Sequence, residues 1–229
     1  MCITACTKQW SAQDFSESLR KGDVATVRTA LDQGFPANTS YDEQFTPLHM
    51  ILDVSLSPNL PDSTRVQIIS LLLEHGADPN KKNKMQFSPL HFAAVYGPEG
   101  AADKLVAAGA NLNAKTSSGT TPLAYAVLAS RLEVVRLLLD HGADPNVNQM
   151  TALDNKGMTP LHLAARGQPT VDTAGTESYR PTPGQAEIIK SLLDKGADPS
   201  IRDGNGRTPL EIAELNSQEQ AIKALKATK

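Results

Sequence analysis

Short bursts of apolar residues spaced three and four apart punctuate this chain: Val66, Ile69, Leu72 and Leu73; Leu132, Val135, Leu138 and Leu139; Ile188, Ile189, Leu192 and Leu193. That spacing puts each set on one face of a helix. Each burst is followed by a glycine, Gly76, Gly142 or Gly196, of the kind that ends a helix in the left-handed conformation. His75, His141 and Lys195 stand just before those glycines and suit the negative end of the helix dipole. A second kind of helix start recurs at Thr46, Ser88, Thr121, Thr159 and Thr208, each followed by Pro-Leu. The hydroxyl can cap the helix, and proline at the first helical position loses nothing by lacking an N–H. Turn-forming runs such as Asp203-Gly204-Asn205-Gly206 and Asn155-Lys156-Gly157 lie between successive helix pairs. The pattern predicts pairs of short helices separated by projecting hairpins.

The pattern repeats. Gly76-Ala77-Asp78-Pro79-Asn80 returns as Gly109-Ala110-Asn111-Leu112-Asn113, Gly142-Ala143-Asp144-Pro145-Asn146 and Gly196-Ala197-Asp198-Pro199-Ser200, with Gly34-Phe35-Pro36-Ala37-Asn38 as a divergent first copy. The glycines are separated by 42, 33, 33 and 54 residues, so the base period is 33 with two longer units. Thr-Pro-Leu-His openings and Gly-Ala-Asp-x-Asn exits at this period resemble the ankyrin repeat, over residues 11–227. The resemblance implies an all-α ankyrin-repeat solenoid with projecting hairpins and about six repeats, near 11–38, 39–80, 81–113, 114–146, 147–200 and 201–229. These would form a single domain behind a frayed leader, 1–10. Each repeat buries little alone and is stabilised by its neighbours, so the end units must differ. They do: 11–33 lacks Thr-Pro-Leu and carries Asp14, Glu17, Arg20 and Lys21, while the last unit ends in Gln218, Glu219, Gln220 and Lys223.

The two long units carry local insertions. Residues 53–63 hold most of the first. The second divides between a longer hairpin near 147–154 and a stretch at 167–184 rich in Pro, Gly, Thr and Ser. That composition predicts an irregular loop, whose shortening should change stability by less than about 1 kcal/mol because loop closure depends only logarithmically on length. It is either a tolerated surface insertion or a partner contact on a rigid scaffold.

Composition narrows the function. Aromatics make up only 4% of the chain, so the core must come from Leu, Ile, Val and Ala. A formal charge of −3 leaves no basic face for nucleic acid, and Lys81, Lys82 and Lys84 read as a solvated loop. No apolar run reaches the length of a membrane helix, and the first residues do not read as a secretory signal. Cys2 and Cys6 can close no useful loop, which points to a reducing cytoplasm. None of the five histidines has a second ligand at metal spacing, and no nucleophile elbow, phosphate loop or zincin motif occurs. No cofactor and no enzyme activity are expected.

What the resemblance implies is a monomeric scaffold that binds another protein through its concave face, hairpin tips and inserted loops. It places Tyr41, Phe45, Met85, Phe87, Tyr96, Leu128, Met150, Met158 and Arg166 along one groove. The row is either an apolar contact surface with an arginine at one end, or side chains packed against neighbouring hairpins, Leu128 and Met150 above all. The partner could be a host protein, if this is a secreted effector working in host cytosol, or an enzyme held inactive by an immunity-type inhibitor. LLLEHGADPN and LLLDHGADPN also resemble ankyrin sites of asparaginyl hydroxylases, nominating Asn80 and Asn146; alternatively these asparagines only bridge the turn.

Overall fold

The computed structural model describes residues 9–41, 45–148, 157–171 and 177–227. Most of the expected leader, the hairpin segment 149–156 and Met150 lie outside the described residues. Trp10, assigned to the leader, is tied down, its indole Nε1 donating to Gln33 Oε1 at 2.7 Å. The chain divides into two compact units, residues 1–110 and 111–229.

The first unit holds three helix pairs: α1 (Ala12–Lys21) with α2 (Val24–Asp32), α3 (Pro47–Leu52) with α4 (Asp62–Glu74), and α5 (Pro89–Val95) with α6 (Ala101–Ala107). First helices pack on first helices, α1 on α3 on α5, and second helices on second helices, α2 on α4 on α6. The core lies between the two rows: Phe15, Leu19, Leu48, Ile51, Ile69, Leu72, Leu90 and Leu105 are almost wholly buried. On α4 the buried face is turned slightly from the expected stripe, with Ile68 and Leu71 inside and Val66 and Leu73 half-buried. The second unit repeats the arrangement with α7 (Pro122–Leu128) and α8 (Leu132–Asp140), α9 (Pro160–Arg166) and α10 (Gln185–Asp194), and α11 (Pro209–Leu215) and α12 (Glu219–Lys226).

Histidine makes the helix starts double as ties. His49 Nδ1 accepts the backbone N–H of Thr46 at 3.2 Å and lies 2.9 Å from its hydroxyl. That leaves the ring proton on Nε2, which donates to the Phe87 carbonyl of the next hairpin at 3.1 Å. His162 does the same with Thr159 and the Arg207 carbonyl. The hairpins have their own clasp: Asn83 Oδ1 accepts the N–H groups of Met85 and Phe87, and Asp203 Oδ1 those of Asn205 and Arg207.

Buried polar side chains hold the described parts of residues 53–60 and 167–184. Arg65 of α4 is buried and donates to the Ile51 carbonyl at 2.9 Å and to the Ser57 carbonyl, fixing residues 53–60 against α3. The stretch 167–184 is not the irregular loop its composition predicts. It forms an antiparallel hairpin of β1 (Gln168–Val171) and β2 (Glu177–Arg180), in register Gln168 to Arg180. Gly167 starts it at φ 79°, ψ −175°, a conformation for glycine alone, and a Cβ there would stand 2.5 Å from the Arg180 carbonyl oxygen. Gln218, buried, donates to the Tyr179 carbonyl at 2.9 Å and so holds β2 to the last helix pair. Composition missed this because Gln218 lies 39 residues from Tyr179 in sequence.

Candidate functional site

In the first unit, Phe45, Phe87 and Phe92 form one ring cluster. Phe92 stands edge-on to Phe45 at 6.0 Å, to Phe87 at 5.8 Å and to His49 at 5.3 Å between centroids. Such edge-to-face pairs add about 0.5–1.5 kcal/mol beyond burial. Phe45 and Phe87 sit at the ends of successive hairpins, where Tyr41 and Phe45 exchange both backbone hydrogen bonds. All three rings are half-buried, so they belong both to the packing and to the surface. Tyr41 is half-buried too; burial pushes its phenol up to about 12, and its hydroxyl makes no hydrogen bond among the described residues.

Two expected contact residues stand clear of the surface. Met85, 63% exposed, occupies the tip of the hairpin that carries Phe87. Tyr96, 54% exposed, lies one helical turn beyond Phe92 at the end of α5. Sequence reasoning overlooked Phe92, although it aligns with Met50, Tyr125 and Leu163 directly after the Pro-Leu-x opening and is the only phenylalanine in that column.

In the second unit Leu128 is half-buried at the end of α7. Two expected contact residues need correction: Met158 is 2% exposed and Arg166 7%. Met158 is covered because the turn at Gly157 approaches the next hairpin so closely that a Cβ would meet Gly204 N at 2.9 Å. Arg166 is covered by the inserted hairpin, its guanidinium 5.3 Å over the Tyr179 ring. Both form the floor of a groove of about 280 Å³ enclosed by Tyr179, the hairpin residues Asn205 and Arg207, and Ile212 and Leu215 of α11.

Asn80 and Asn146 lie in the exit turns. Asn146 donates to the Gly196 carbonyl and accepts the N–H of Asp198, and Asn80 donates to the Gly109 carbonyl. Each side chain clasps the exit of the following repeat. Burial lowers His49 to about 4 and lowers His162 in the same direction, which keeps both rings neutral. Among the described residues no three His, Cys, Asp or Glu side chains converge on a metal position, and no helix is long and apolar enough to cross a membrane.

Comparison with known proteins agrees with this architecture. A family model described as ankyrin repeats (3 copies) matches residues 62–149 and 115–173, and one described as ankyrin repeats (many copies) matches 179–225. The ankyrin repeat protein FPV222 of Fowlpox virus (strain NVSL) is 32% identical over 145 residues, 63% of this chain, which spans only 17% of that protein. The ankyrin repeat protein YahD of Escherichia coli (strain K12) is 27% identical over 212 residues, covering 93% of this chain and 94% of its own. The crystal structure of an ankyrin repeat domain from Acinetobacter baumannii AYE superposes with a TM-score of 0.76 at 23% identity, over 95% of this chain and 98% of that one. With its repeated openings and exits, paired helices and these matches, the chain belongs to the ankyrin-repeat family.

Proposed function

We propose that this protein is a non-enzymatic scaffold that binds another protein through its hairpin tips and first-helix side, anchored by the aromatic cluster of the first unit. Ankyrin repeats mediate protein–protein interaction. The single observation that carries the location is the exposure of Met85 and Tyr96 around the half-buried Phe45, Phe87 and Phe92 rings. Aromatic residues and methionine are enriched at interface cores, and large exposed apolar side chains grouped together mark contact surfaces. We take the scaffold to be a cytoplasmic monomer, and a sequence with only two cysteines, four residues apart, is in keeping with a reducing compartment.

Changing Met85 and Tyr96 to Asp tests the reading, since both are exposed and folding should lose little. An anchor of this kind contributes about 2–4 kcal/mol to binding. Affinity capture from the native organism should retain, on the wild-type chain, a protein depleted at least tenfold by M85D/Y96D at unchanged melting temperature. Equal capture by both chains would refute the placement.

A further inference from the structure

The insertion in the fifth repeat builds something its neighbours lack. Strand β2 raises Tyr179 beside α11, turning an open surface into the groove floored by Arg166. Its volume, about 280 Å³, falls below the roughly 300–1,000 Å³ usual for small-molecule and cofactor sites, and accommodates one or two side chains. Leu215, 66% exposed, supplies an apolar lip above the buried Ile212.

The polar side of the groove is built for an anion. Arg207 Nε and Nη2 donate to Asp203 Oδ2 at 3.1 and 2.9 Å, and Asp203, whose side chain is wholly buried, spends Oδ1 on two backbone N–H groups. The carboxylate therefore grips one edge of the guanidinium from below. Nη1, on the other edge, has no hydrogen-bond partner among the described residues, and the Arg207 side chain is one-third exposed along the groove. A guanidinium fixed in this way has already lost its rotamer freedom, and its free N–H pair matches a carboxylate. Asn205 adds a carboxamide and no described lining residue carries a carboxylate, while Arg166 lies buried beneath the Tyr179 ring.

We propose that this groove receives an acidic side chain of the partner protein, clamped by Arg207, with an adjacent apolar partner residue seated on Leu215. The proposal rests on the scaffold reading above, but its test does not need the natural partner. The probe is the capped peptide acetyl-Ala-Leu-Glu-Leu-Ala-amide, titrated at low salt into the full ¹⁵N-labelled chain, with the Arg207 Nε–H and Asn205 side-chain amide signals followed by NMR. Both signals should shift saturably below about 10 mM. The peptide with Gln in place of Glu should bind at least fivefold more weakly. Arg207→Lys keeps a cation opposite Asp203 but removes the outward N–H pair; it should weaken the Glu peptide at least threefold while the chain stays folded at the temperature of the titration. Equal response to Glu and Gln peptides, silent Arg207 and Asn205 signals, or unchanged affinity in Arg207→Lys overturns the proposal. So does tighter binding of a Glu-free peptide with a free C-terminus, which would make the groove a site for chain ends. If the Glu peptide fails while M85D/Y96D still loses its partner, only the groove assignment falls.

Discussion

Acidification to pH 5 should weaken the first unit by a definite amount through one ring. Burial holds His49 neutral, with its value lowered to about 4 against 6.5 for an exposed histidine. Between those values the unfolded chain binds a proton that the folded chain refuses, so stability is full above pH 6.5 and falls as pH drops toward 4. The whole shift corresponds to about 3 kcal/mol, of which about 2 kcal/mol is lost by pH 5. His162 acts in the same direction, whereas His75, raised by its bonds to the Leu71 carbonyl and Asp32, acts in the opposite one. His49→Gln isolates the ring: the Gln variant is less stable at pH 7.5, where the tie to Phe87 is intact in the wild type, but does not carry the penalty at pH 5. Urea unfolding followed by circular dichroism at pH 7.5 and 5.0 gives the comparison. The stability gap between wild type and variant should narrow by about 2 kcal/mol at the lower pH. Parallel pH dependence of the two proteins would refute the claim that His49 is a buried neutral donor.

Two further perturbations probe features peculiar to this chain. Gln86 holds φ 62° where the corresponding hairpins have glycine at Gly119 and Gly206, so Gln86→Gly should raise stability by about 0.5–1 kcal/mol in urea unfolding; a loss would mean that the Gln86 side chain compensates its backbone strain. Gln218→Ala removes the buried donor to the Tyr179 and Asn216 carbonyls and should cost about 2 kcal/mol, as should replacing 168–180 with a short Gly-Ser linker. A cost below about 0.5 kcal/mol for both would return that stretch to the status of a tolerated loop.

The repeat architecture was legible because its determinants are local: a capping hydroxyl before proline, an apolar face at helical spacing, a glycine at the exit. That local logic did not reach the ties that His49 and His162 make to the next hairpin, 38 and 45 residues on. It failed at the inserted hairpin, where Gln218 and Arg166 hold β2 from other elements and Pro, Gly and Thr alone suggested a loop. It failed again at Met158 and Arg166, because alignment of repeats assigns a position to a face but cannot show that an insertion covers it. Arg207 carried a signal that went unread: an aspartate four residues upstream in the same hairpin, Asp203, is the spacing that clasps the turn and the guanidinium together.

The central claim, that the hairpin and first-helix side binds a protein, is tested most directly by hydrogen exchange on the chain alone and with its captured partner. Slowed exchange is expected in hairpin 83–87 and helix α5, and in hairpin 203–207 and helix α11 if the groove is engaged as well. Slowed exchange confined to the second helices α2, α4, α8 and α10, with those hairpins unchanged, would contradict it.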